Sequence, residues 1–162
     1  MQTVGVLGLG YVGFPLVELL IKSKKYRVFG LDISQEKIRQ AGQNLVSPRF
    51  TATSDFSKLR ECDIAVICVP TPVHKNFLPD YGPVKSACLS IAKNMKKGVL
   101  IIIESTVNPG TCEEVALPVL ERFGATAGKD FLLAHCPERI DPGNKKWTLI
   151  NIPRNVGGFN KE

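Results

Sequence analysis

Stretches of apolar and β-branched residues alternate along this chain with stretches in which apolar positions recur at helical spacing. Thr3–Gly8, Arg27–Asp32, Phe50–Thr53, Ile64–Val69, Val99–Glu104 and Phe131–Ala134 predict strands. Val12–Ser23, Gln35–Ala41, Pro83–Lys96 and Cys112–Phe123 predict helices. Ile64–Val69 and Val99–Ile103 are apolar at nearly every position, the pattern of strands covered on both faces. Regular alternation of strand and helix implies an α/β fold. The expected form is a doubly wound, mainly parallel sheet of about six strands with helices on both faces, ordered 3-2-1-4-5-6. No internal repeat, low-complexity stretch or linker breaks the pattern, so residues 1–162 read as one domain.

The first strand runs into Gly8-Leu9-Gly10-Tyr11-Val12-Gly13, and the second ends on Asp32, 19 residues after Gly13. Three glycines in a turn also occur in unrelated α/β proteins. Strand, glycine turn, helix, strand and terminal acid in this order form the dinucleotide-binding fingerprint of the Rossmann fold. Gly8 permits a tight turn out of the strand, Gly10 leaves room for a pyrophosphate, and Gly13 lets the helix lie close to the sheet. The N–H groups and dipole of the helix start then face the phosphates. Asp32 is placed to accept hydrogen bonds from ribose hydroxyls, and its charge repels a 2′-phosphate, which favours NAD over NADP. Lys37, the one basic side chain nearby in sequence, weakens that preference slightly.

Composition narrows the classes. Hydrophobic residues make up 44% and charged residues 22%, a soluble globular profile. No apolar run approaches the roughly 20 residues of a membrane span, and the N-terminus lacks the pattern of a signal peptide. A cytoplasmic protein is the expectation. Five scattered cysteines without a CxxC pair, and without metal-like spacing to the two histidines, read as reduced thiols and no metal site. The net charge of +6 gathers at Lys22-Ser23-Lys24-Lys25 and Lys96-Lys97, where helices should end, so it reads as solvated surface and not as a nucleic-acid face.

In this architecture ligands bind beyond the carboxyl ends of the strands. Pro70-Thr71-Pro72, the segment from Ser105 to Thr111, and the segment from Cys136 to Gly143 all fall at such ends. Thr71 offers a hydroxyl in a stiff turn that serves equally as a plain loop, and Thr106 faces the same crevice. Thr111 and Glu114 fit a capping box, a structural role. Cys112 would lie in the first turn of that helix, either activated by the dipole or, more commonly, buried and inert. Glu138 suits a base or a water-orienting group, and Arg139 suits a forked hold on an anion. Residue types alone lean toward surface ion pairs for both.

The glycine turn, Val69-Pro70-Thr71-Pro72, Glu104-Ser105-Thr106-Val107 and Pro137-Glu138-Arg139-Ile140-Asp141-Pro142-Gly143 occur together and in this order. In that set the chain resembles the N-terminal NAD domain of the UDP-glucose/GDP-mannose dehydrogenases. With Asn151-Ile152-Pro153-Arg154, the last segment is similar to the branch acting on UDP-N-acetylglucosamine and UDP-N-acetylmannosamine. The resemblance implies oxidation of the sugar C6 alcohol to a carboxylate in two steps with two NAD+, through a thiohemiacetal and a thioester on a cysteine. By match it assigns Tyr11, Val12, Asp32, Lys37, Thr71 and Thr106 to NAD, beside Gly8, Gly10 and Gly13 of the fingerprint. It gives Thr106 and Glu138 to placing and activating the catalytic water, and Glu138, Arg139 and Ile140 to the sugar nucleotide.

In such proteins a helical dimerisation segment and a UDP-binding domain follow Val156-Gly157-Gly158, and the nucleophilic cysteine and catalytic lysine lie there. This chain alone is therefore expected to hold NAD without turnover, as a fragment of an enzyme that works as a homodimer or larger assembly. A β-hydroxyacid dehydrogenase domain and a free-standing NAD module are the rivals. The first has no counterpart to Pro137-Glu138-Arg139.

Overall fold

Seven strands carry the framework: β1 Gln2–Leu7, β2 Tyr26–Leu31, β3 Phe50–Thr53, β4 Ile64–Ile67, β5 Val99–Ile103, β6 Phe131–His135 and β7 Gly157–Gly158. The structure, a computed structural model, describes residues 1–139 and 151–159. Ile140, Asp141, Pro142 and Gly143 of the last sequence motif lie outside these. The strands form one sheet in the order β3-β2-β1-β4-β5-β6-β7. β1 to β6 pair in parallel, as the alternation predicted, and β7 adds an antiparallel edge. Periodicity could not find β7, which is two glycines long.

Side-chain alternation on the strands divides the core into two layers. On one face Val4, Val6, Val28 and Val66 pack with Val17 and Ile21 of α1 (Gly13–Lys22) and Ala41 of α2 (Gln35–Asn44). On the other, Leu7, Leu31, Ile67, Ile101, Ile103, Phe131 and Leu133 pack with Val84, Cys88 and Ile91 of α3 (Gly82–Asn94) and Leu120 of α4 (Leu117–Leu120). The two-sided cover explains why β4 and β5 are apolar throughout.

The expected helix Cys112–Phe123 is instead three short pieces. A π-helical turn, Cys112–Ala116, leads into α4, and a 3-10 turn, Glu121–Phe123, ends at Gly124 in the left-handed region (φ 88°). Pro118 has no N–H to donate and crowds the preceding turn, so a regular α-helix cannot run through it. The expected capping box is also not formed. Thr111 has helical backbone angles (φ −62°, ψ −32°), which aim its hydroxyl away from the first-turn amides, and the hydroxyl donates to Tyr81 Oη at 3.1 Å.

The lysines at the helix ends are partly paired. Lys96 Nζ lies 2.6 Å from Asp63, and Lys97 Nζ 3.5 Å from Asp130. Among the described residues no helix is long and apolar enough to cross a membrane.

Candidate functional site

Parallel strands in this order bring the carboxyl ends of β2, β1, β4, β5 and β6 side by side along one edge. The glycine turn leaves β1 there. Gly8 has φ +97°, and a Cβ on it would sit 2.6 Å from the Cys68 carbonyl oxygen. A Cβ on Gly13 would sit 1.9 Å from the Gly8 oxygen. Neither position accepts a side chain. At Gly10 the nearest atom to such a Cβ is Lys37 Nζ at 3.6 Å, so the space above that residue is open. Sterics thus separate two glycines that build the turn from one that keeps a cradle clear.

Asp32, buried at the end of β2, closes the other side. Its Oδ2 accepts from the Leu9 N–H at 2.8 Å and its Oδ1 from the Ser34 N–H at 2.9 Å. Each oxygen keeps a second lone pair for an incoming hydroxyl. Ser34 in turn caps α2, accepting from the Lys37 N–H at 3.4 Å. Lys37 Nζ stands 4.0 Å from Asp32. Gly8, Gly10, Asp32 and Lys37 line a cleft of about 450 Å³ whose far wall is Cys68, Val69, Pro70 and the Pro83–Ser90 face of α3. Tyr11, mostly exposed, flanks a neighbouring hollow between α1 and α2 that also reaches Gly10 and Lys37. Val12 is half-buried at the start of α1 and packs on the first core layer.

Thr71 and Thr106, 35 residues apart, are brought together: the Thr71 hydroxyl donates to the Thr106 carbonyl oxygen at 2.8 Å. The Ser105 hydroxyl donates to the Val69 carbonyl at 2.7 Å, a second tie between the ends of β4 and β5.

Glu138 is not in a surface ion pair. Its side chain is 5% exposed and its carboxylate is paired with Arg154. Its Oε1 also accepts from the Arg139 N–H at 2.6 Å. The same guanidinium donates to Glu104 at 2.5 Å, and the Cys68 thiol donates to the other oxygen of Glu104 at 3.4 Å. Burial pushes the Glu104 carboxyl above its ordinary range, against the pull of Arg154. Arg139 is exposed.

Residue types and spacing predict no role for Glu104 or Arg154. A lone acid ending the otherwise apolar β5 was a signal that a buried partner must exist. Its identity, 50 residues away, was not legible. Cys112 is on the inert side of its two readings, because burial raises its thiol pKa.

A glycine turn at a helix start, a buried acid closing the second strand and hydroxyls on the next strand ends define a dinucleotide-binding dehydrogenase domain. Residues 39–162 match the UDP-glucose/GDP-mannose dehydrogenase family, NAD binding domain. The chain belongs to that family, and its dinucleotide is NAD.

The chain is 38% identical to the UDP-N-acetyl-D-glucosamine 6-dehydrogenase of Pseudomonas aeruginosa, over 98% of this chain and 40% of that protein. It is 33% identical to the UDP-N-acetyl-D-mannosamine dehydrogenase of Pyrococcus horikoshii, over 98% and 41%. The crystal structure of an NDP-N-acetyl-D-galactosaminuronic acid dehydrogenase from Methanosarcina mazei superposes with a TM-score of 0.89 at 32% identity, covering 99% of this chain and 39% of that one. The chain thus spans about 40% of the length of the curated relatives it matches. The β-hydroxyacid dehydrogenase reading falls to the family match.

Proposed function

We propose that this chain is the NAD-binding domain of a dehydrogenase that oxidises the C6 alcohol of a UDP-N-acetylhexosamine to a uronate in the cytoplasm, working as a homodimer or larger assembly. The supporting observation is the shared edge: the glycine turn and Glu138 stand on the same carboxyl edge of the sheet, with only β4 and β5 between their strands. A cofactor laid along that edge from Asp32 would have its far end beside Glu138.

The open cradle over Gly10 fits a pyrophosphate, and the amides of the α1 start and Lys37 supply positive character for it. Asp32 holds the adenosine ribose, and Tyr11, Val12, Thr71 and Thr106 complete the contacts. Bound NAD+ supplies the hydride acceptor. Glu138, held by Arg154 and by the Arg139 amide, orients a water beside Thr106, and Arg139, Ile140 and Glu138 border the sugar nucleotide. The nucleophile and the catalytic lysine belong to the part of the relatives beyond the region matched here.

The test is a chimera that joins this chain to the remaining portion of the Pseudomonas aeruginosa relative, assayed for NADH formation. UDP-N-acetylglucosamine or UDP-N-acetylmannosamine should be oxidised in preference to UDP-glucose, and the 162-residue chain alone should turn over none of them. Oxidation by the chain alone, or preference for UDP-glucose in the chimera, would sink the reading.

A further inference from the structure

Glu104, Arg154 and Glu138 meet at the ends of β5 and β6, and their side chains are 6%, 21% and 5% exposed. One guanidinium serves two carboxylates there. A structural ion pair needs one acid for one base, and a second buried acid on the same cation adds desolvation cost and repulsion. A planar fork with nitrogens engaged by both acids does something a single pair does not: it sets the orientation of one carboxylate relative to the other.

Glu104 is itself fixed. It directly follows β5, which is parallel-paired to β6 over Val99–Ile103 and to β4 over Leu100–Ile103, and its second oxygen takes the Cys68 thiol. Cys68 is the residue against which the glycine turn is built: its carbonyl oxygen lies 2.6 Å and its Cβ 3.1 Å from where the Cβ atoms of Gly8 and Gly13 would be. A continuous packed and hydrogen-bonded path therefore runs from the glycine turn through Cys68, Glu104 and Arg154 to Glu138.

We propose that Arg154 is a positioning residue which, braced on Glu104, holds the Glu138 carboxylate in register with the cofactor turn. The proposal rests on the reading of Glu138 as the water-orienting group, but the geometry it asserts does not. Glu138 follows a strand end on a segment whose backbone is tied to the end of β5 by the Cys136 N–H to Ile103 carbonyl bond at 2.9 Å and the Glu138 N–H to Glu104 carbonyl bond at 3.2 Å, neither of which orients the Glu138 carboxylate. Arg154 supplies the side-chain tie that the backbone does not.

The experiment reads the Arg139 amide, which reports the Glu138 carboxylate directly, by NMR in the 162-residue protein. Arg154→Met should move the Arg139 amide proton upfield, with the Ile101 and Leu133 amides of β5 and β6 unmoved, and Arg154→Lys should restore part of the shift. Glu104→Gln, nearly isosteric, should produce the same displacement in smaller measure. It carries the test if Arg154→Met does not fold.

An Arg139 amide that keeps its position in Glu104→Gln and in any folded Arg154 variant would overturn the brace. In the chimera, Arg154→Met should lower kcat at least tenfold while leaving KM for NAD within twofold, a split that general loosening of the fold would not give. If Glu138→Gln leaves chimera turnover unchanged while the amide shifts appear as expected, the role of Glu138 fails and the brace stands.

Discussion

The Leu9 amide donates to Asp32 at 2.8 Å, so the glycine turn and the end of β2 are bound directly to each other. Asp32 therefore has two duties, and substitutions separate them. Asp32→Ala leaves the buried Leu9 N–H without an acceptor, which costs about 1–3 kcal/mol. Denaturant unfolding should show that loss, and NAD and NADP titrations of the same variant should show the preference for NAD largely erased. Asp32→Asn can still accept from Leu9 through its one oxygen but turns its NH2 toward the Ser34 N–H, so it should recover part of the stability while remaining indifferent to the 2′-phosphate. Equal affinity of the unaltered chain for both dinucleotides would contradict the ribose assignment.

The three glycines of the turn should fail in different ways. Gly13→Ala forces a Cβ to 1.9 Å from a backbone oxygen and should destabilise the fold by on the order of 3 kcal/mol or more. Gly10→Ala meets only Lys37 Nζ at 3.6 Å, so its thermal unfolding should stay within about 0.5 kcal/mol of the parent. Calorimetric titration should nevertheless show NAD affinity reduced at least tenfold, because the new methyl occupies the proposed phosphate cradle.

Acid and base should act on stability through opposite residues. Asp63 is held below its ordinary 3.8, first by the hydrogen bond from Lys96 and then by the Thr3 amide. Its contribution is present above pH 3.8 and lost as pH falls through the lower folded value. Glu104 is raised above 4.5 by burial, so its contribution is complete below pH 4.5 and lost as pH rises through the higher folded value. Urea midpoints between pH 3 and pH 7 should show Asp63→Asn diverging from the parent as pH rises. Glu104→Gln, which stays neutral throughout, should gain stability relative to the parent over the same interval.

Thiol chemistry offers a further check. Burial pushes Cys62 and Cys88 up to about 12, and Cys112, the half-exposed one, is raised as well. Alkylation at pH 8 followed by mass spectrometry should modify Cys112 slowly and first, and all five cysteines together once the chain is unfolded. Rapid modification of Cys112 would show an activated thiol at the π-helical turn, contrary to its surroundings.

Where sequence reading failed, the failures share a cause. The Thr111 capping box has the right residue types, yet Tyr81, 30 positions earlier on another element, takes the hydroxyl. Residue types place Glu138 and Arg139 in surface ion pairs, but Arg154, 16 residues along the chain, draws Glu138 inward and leaves Arg139 outside. Apolar spacing in Cys112–Phe123 has a helical period, but Pro118 breaks the expected single helix into three short turns.

The six parallel strands and their order, the helices covering both faces, the glycine turn and the acid that closes it were determined by the sequence alone. Those features depend on residue periods and on spacings within one strand-helix-strand unit, which short-range sterics and hydrogen bonding dictate. Only the tertiary structure decided which side chains meet at the carboxyl edge. Cys68, Glu104, Glu138 and Arg154 come from four separate parts of the chain and meet because parallel pairing sets the ends of β4, β5 and β6 side by side and the antiparallel β7 brings Arg154 back to them. Buried acids must find cations, but neither periodicity nor spacing says which cation the fold will deliver.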